Sequence, residues 1–171
     1  MKRWAFMLFL AMLTGCVGKP ANVQPVTNFQ LDRYLGRWYE VARLDHSFER
    51  GLSKVSAEYS MRDDGGVRVI NRGYNAEKGE WKEAEGKAYF VQTPDVGYLK
   101  VSFFGPFYGS YVVFALDQEN YQYAMISGPD TDYLWILARQ PQLDASIKSA
   151  LIEKAKALGF ATGQLIIVNH D

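Results

Sequence analysis

Along most of the chain apolar and polar residues alternate at every second position, the period of a half-buried β-strand. Residues 54–61 set Val55, Ala57, Tyr59 and Met61 against Ser56, Glu58 and Ser60. An Asp63-Asp64-Gly65-Gly66 turn leads into residues 67–74, where Val67, Val69, Asn71 and Gly73 oppose Arg68 and Arg72. Residues 81–90 place Ala84, Gly86, Ala88 and Phe90 opposite Glu83, Glu85 and Lys87. Residues 98–104 place Leu99, Val101 and Phe103 opposite Lys100 and Ser102. A strand over 37–45 precedes these, and strands over 111–117, 121–127 and 133–139 follow. Turn residues separate them at 75–79, Thr93-Pro94-Asp95, Gly105-Pro106, Gln118-Glu119-Asn120 and Gly128-Pro129-Asp130.

Eight short strands joined by tight turns predict an all-β fold: an eight-stranded antiparallel up-and-down β-barrel. Closure removes the exposed edges, and a barrel of this size holds side chains or one small ligand. Small inward residues, Ala57, Gly86 and Ala88, favour a cavity. After Pro141 the period changes. Asp144 suits an N-cap, Ile147, Leu151, Ala155 and Leu158 share one helical face, and Gly159 suits the C′ position. This predicts one C-terminal α-helix packed outside the barrel, over Val112, Phe114 and Leu116 of the strand that is apolar on both faces. A short last strand is expected over 164–168.

The first residues follow a different rule. Lys2 and Arg3 precede an apolar run over 4–13, too short to span a bilayer. The run ends in Leu13-Thr14-Gly15-Cys16, which resembles the lipobox of bacterial lipoproteins. The alternative is an ordinary secretory signal peptide in which Cys16 is incidental. The resemblance implies a signal peptide over 1–15, acylation of Cys16, a tether over 16–27 and a folded domain over 28–171. Val17 rather than Asp after the Cys implies sorting to the outer membrane. Cys16 is the single Cys, so no internal disulfide forms and the core alone must stabilise the fold.

Composition narrows the function classes. The 171 residues carry 19 cations and 19 anions, with no basic block, which argues against nucleic acid. Eleven Tyr and ten Phe fit half-buried sheet or an aromatic-lined pocket. Two His, no Gly-x-Ser-x-Gly and no cluster of metal-ligand spacing leave an enzyme without a base and partner. No catalytic residue, metal or other cofactor is expected.

Gly36-x-Trp38 on the first strand, Thr131-Asp132-Tyr133 before the eighth and Arg139 at its end together resemble the lipocalins. Stretches 34–43, 63–74 and 100–109 are similar to the bacterial outer-membrane group, and beyond it to apolipoprotein D. The resemblance implies that Gly36, Trp38, Thr131, Asp132 and Arg139 close the barrel base, with Arg139 packed over the Trp38 indole. Function then belongs to the cavity. Alternation and the family's pocket positions give Ala57, Tyr59, Val69, Ala88, Phe90, Leu99, Val101, Phe103, Tyr111, Val113, Tyr133 and Trp135 as its lining. This set is apolar with a few phenols and has no inward Lys or Arg besides Arg139. It suits a long hydrocarbon chain whose head stays near the mouth.

The loop over 46–52 should lie at that mouth, where His46, Glu49 and Arg50 either meet a head group or are solvated. The apolar segment over 103–108 faces a membrane, forms a homodimer or folds inward. The resemblance implies a lipid-anchored outer-membrane lipocalin, on the periplasmic face. It would bind and store or transport fatty acids, lysophospholipids or similar ligands for envelope maintenance or stress. Its rival is a structural outer-membrane lipoprotein with no ligand.

Overall fold

The computed structural model describes residues 17–171; the expected signal peptide and Cys16 lie outside the described residues. Eight strands form the barrel: β1 Gly36–Arg43, β2 Leu52–Met61, β3 Val67–Asn75, β4 Glu80–Phe90, β5 Tyr98–Phe104, β6 Phe107–Leu116, β7 Tyr123–Ser127 and β8 Leu134–Ala138. Each pairs antiparallel with the next, and β1 pairs with both β2 and β8, which closes the cylinder. A two-residue strand, β9 (Ile166–Ile167), adds to the free part of β1 and is shorter than the 164–168 expected. A 3-10 turn over Thr162–Gln164 takes the rest of that segment.

The alternation sets the two ends of the barrel. Hairpin turns after β2, β4 and β6 lie at the end where Trp38 enters, the base. Loops after β1, β3, β5 and β7 lie at the other end, the mouth. A short helix, α1 (Leu31–Tyr34), runs under the base and buries Tyr34. One helical turn is too short to show a period, so the sequence shows this segment as no more than a polar turn.

Four strands carry register shifts, and each moves side chains to the opposite face; in β5 the shift falls between Val101 and Phe104. In β1 the shift falls between Glu40 and Ala42. In β2 it falls between Ser53 and Ser56, where Lys54 has φ 52°. In β6 it falls between Val113 and Ala115. Val112 and Phe114 therefore face out and pack under the helix as expected, but Leu116, past the shift, packs with the barrel interior instead.

The helix is α2, Ala145–Ala157. Asp144 accepts from the backbone N–H groups of Ser146 and Ile147, and Gly159 takes φ 93° beyond the last turn. Leu151 and Ala155 are buried against Val112 and Phe114, and the Phe114 and Phe160 rings stack at 5.5 Å. This outer core also takes in Val23, which is 0% exposed. Residues 17–27, expected as a bare tether, are thus bound to the wall. The Val26 N–H donates to the Val113 carbonyl at 2.8 Å, and the Gly97 N–H donates to the Val26 carbonyl at 2.9 Å. Val23 and Val26 bring apolar side chains to β5 and β6, and burying them holds the arm down.

Candidate functional site: the barrel cavity

The base is sealed by charge on aromatic rings. The Arg139 guanidinium lies 4.0 Å over the Trp38 ring. Its nitrogens donate to the carbonyls of Arg37, Arg33 and Tyr121 at 2.9, 2.7 and 3.2 Å. Trp38 Nε1 donates to the Tyr34 carbonyl at 2.8 Å. Gly36 has φ 92°, a left-handed conformation that suits glycine, with Arg139 Nη1 in contact range of the position a Cβ would take.

Thr131 and Asp132 are not part of this closure. They sit in the β7–β8 loop at the mouth, where the Asp132 N–H donates to Asp130 at 2.9 Å. Their place at the base is taken by Tyr121, in the β6–β7 turn. Its hydroxyl accepts from the Gln30 N–H at 3.0 Å, and the Arg33 guanidinium lies 4.3 Å over its ring. A single up-and-down step decides this: a loop before an eighth strand leading back to the base must lie at the mouth.

Above the base is a cavity of about 600 Å³. Ala57, Tyr59, Val69, Ala88, Leu99, Val101, Phe103, Tyr111, Tyr133 and Trp135 line it. Phe90 and Val113 join the packed inner cluster without reaching it; the Phe90 ring lies 6.1 Å from Phe29. Phe29, Leu31 and Tyr34, from the segment before β1, also line it. Alternation within strands carries no signal for that segment.

Ser56, Asn71, Arg72, Lys82 and Ser110 also line the cavity, and two buried polar clusters interrupt its apolar wall. Low in the cavity, the Tyr111 hydroxyl lies 2.7 Å from the Tyr34 hydroxyl and 2.8 Å from that of Tyr59. Burial pushes all three phenols above their ordinary range, so they stay protonated. Three hydroxyl protons serve two bonds, which leaves one proton to donate elsewhere.

The second group lies toward the mouth, on β1 and its loop. Arg43, 1% exposed, donates to Glu40 at 2.8 Å and to the carbonyls of Glu49 and Leu52 at 3.0 and 3.2 Å. Glu49 Oε2 accepts from Trp135 Nε1 at 3.0 Å, and His46 Nε2 lies 3.0 Å from the same oxygen without hydrogen-bond alignment. Glu40 and Glu49 both line the cavity. Burial first, then the nearby Glu49, push Glu40 up to about 8 against the pull of Arg43. The interior therefore does hold a cation besides Arg139, because the β1 shift turns Arg43 inward. His46 and Glu49 are buried rather than solvated, while Arg50 stays outside, paired with Asp45 at 2.8 Å.

The segment over 103–108 is a tight hairpin at the mouth, with Phe104 paired to Phe107. Phe103 turns its ring over Gly86, where an added Cβ would approach to 2.8 Å. Phe104 and Phe107 are exposed, so this segment does not fold inward. Among the described residues no group of His, Cys, Asp and Glu is placed to hold a metal ion.

Comparison with known proteins agrees with this geometry. A family model described as a lipocalin-like domain matches residues 29–170. A Vibrio cholerae protein named outer membrane lipoprotein Blc is 62% identical over 165 residues, 96% of this chain and 96% of that one. The Escherichia coli K12 protein of the same name is 52% identical over 162 residues, 95% of this chain and 91% of its own. Apolipoprotein D of Bos taurus is 36% identical over 74% of this chain and 69% of its own. Insecticyanin from the tobacco hornworm Manduca sexta shares the fold, with TM-score 0.70 at 24% identity over 90% of this chain and 87% of that one. The chain belongs to the lipocalin family, whose barrel serves to bind small hydrophobic ligands.

Proposed function

We propose that this protein is an outer-membrane lipoprotein that holds a single-chain lipid in its barrel. In this reading residues 1–15 are removed, Cys16 is acylated, and the barrel stores or carries a fatty acid or lysophospholipid for upkeep of the envelope. The localisation is that of the relatives named outer membrane lipoprotein. The observation that carries the reading is the cavity: about 600 Å³, apolar over most of its wall. Ligand pockets commonly run to about 300–1,000 Å³. A chain of about sixteen carbons gains about 13 kcal/mol gross on leaving water, at about 0.8 kcal/mol per methylene. Ordering the chain and association cancel several kcal/mol of that. Binding follows without an ion pair.

The charged wall sorts the head groups. Glu40 and Glu49 stand in the wall with Arg43 beside them, engaged by Glu40 and two carbonyls, and Lys82 and the Glu83-paired Arg72 also line the cavity. A bare carboxylate head answers only the cations of that wall and is repelled by Glu49. A zwitterionic head, as on a lysophospholipid, meets both signs, its cation at Glu49 and its phosphate at Lys82 or Arg72. The test is displacement of a bound fluorescent lipid from residues 17–171 by fatty acids and lysophospholipids. Saturable displacement, tighter for the lysophospholipid, is expected. Ala88→Trp, which fills the cavity, should weaken it at least tenfold. Absence of saturable binding by any of these lipids would leave a structural lipoprotein.

A further inference from the structure

The N-terminal arm has no slack at its upstream end. The Tyr98 hydroxyl donates to the Val17 carbonyl, and Ser110 Oγ donates to the Gly18 carbonyl. Downstream the arm runs to Val26 beside Gly97, and Phe29 reaches Asp95, both near the base. The arm therefore climbs the outer face of β5 and β6 toward the mouth as it is followed back to Val17. Cys16 precedes Gly18 by two residues, about 7 Å at full extension. From Ser110 to Phe107 is three strand residues, about 10 Å further toward the mouth.

That end of the hairpin presents Phe104 at 81% exposure and Phe107 at 72%. Both also border the cavity. On the neighbouring β3–β4 hairpin Trp81 is 55% exposed, with the Arg72 guanidinium 5.9 Å from its ring. Aromatic residues beside cations are the usual composition of a membrane–water interface.

We propose that the β5–β6 tip docks on the bilayer, with Phe104 and Phe107 among the acyl chains, so that the cavity opens onto the lipid surface. This rests on acylation of Cys16. Gly18 is bound to Ser110, and the chain length from it to Cys16 limits how far an acyl chain there can stand from the upper wall of β5 and β6; the two Phe lie beyond that level. A second copy is the weaker occupant. The tip offers three Phe rings of about 150–250 Å² each, short of the about 800 Å² per partner of a standard interface.

The experiment uses the mature, acylated protein in phosphatidylethanolamine–phosphatidylglycerol vesicles with brominated acyl chains. Phe104→Trp places a reporter at the tip, and Met61→Trp, exposed at the base, is its control. Flotation with the vesicles reports the anchor separately. The expected result is that both variants float, that Trp emission in Phe104→Trp is quenched at least twofold more than in the parent, and that Met61→Trp adds no quenching. A floating Phe104→Trp protein without added quenching overturns the docking and leaves the anchor standing. Equal quenching at both sites overturns it too, as does a tip shielded in a crosslinked dimer. Protein that does not float removes the anchor and the docking together.

Discussion

At the scale of single residues, two charged groups do opposite things. Arg139 covers Trp38 and ties three carbonyls across the base, so Arg139→Ala should cost stability: about 2 kcal/mol, from a cation–π contact of about 0.5–2 kcal/mol and hydrogen bonds half open to solvent. Urea unfolding measures it. Lipid affinity should change less than about threefold, since the cavity lies above; a variant with a normal midpoint and no lipid binding would overturn the assignment of Arg139 to structure. Glu40 makes stability depend on pH. Its carboxyl is pushed up to about 8 from an ordinary 4.5. Between those values the folded state holds a proton that the unfolded chain has released, so the contribution is full below 4.5 and is lost as pH rises through about 8. The melting temperature should fall from about pH 5 to about pH 9, and Glu40→Gln should flatten that fall. An unchanged slope in Glu40→Gln would place the effect elsewhere. Arg139 was legible because it ends a strand in a familiar pattern. Arg43 was not, because its inward turn depends on a register shift that alternation cannot see; Glu40 lies before the shift on the face of Trp38, and what no local pattern records is its burial against Arg43.

At the scale of elements, the sequence locates strands better than it orients them. The helix is the clearest success: Asp144, Leu151, Ala155 and Gly159 occupy the cap, the buried face and the C′ turn that periodicity assigns them. Asp144→Ala should destabilise the protein by about 1 kcal/mol, read from the thermal midpoint, because two N–H groups lose their acceptor. A midpoint within error of the parent would show that the helix is held by packing alone. The N-terminal arm and α1 were hidden for different reasons. The arm carries no period of its own and is held by bonds to β5 and β6, far along the chain. The helix α1 is four residues long, below what any pattern resolves.

At the scale of the whole molecule, closure converts eight local patterns into one container. Pairing of β1 with β8 joins segments about a hundred residues apart and places Trp38 under Arg139. The same closure decides which loops share an end, and so moves Thr131 and Asp132 to the mouth and Tyr121 to the base. The sequence by itself determined the strand count, the helix, the turn positions and most of the cavity wall, because a period of two fixes which side chains share a face. The tertiary structure alone decided which face is inside after each bulge, which loops rim the mouth, and that two glutamates and an arginine stand buried together. Those depend on register and on contacts between distant strands, and no local pattern records either.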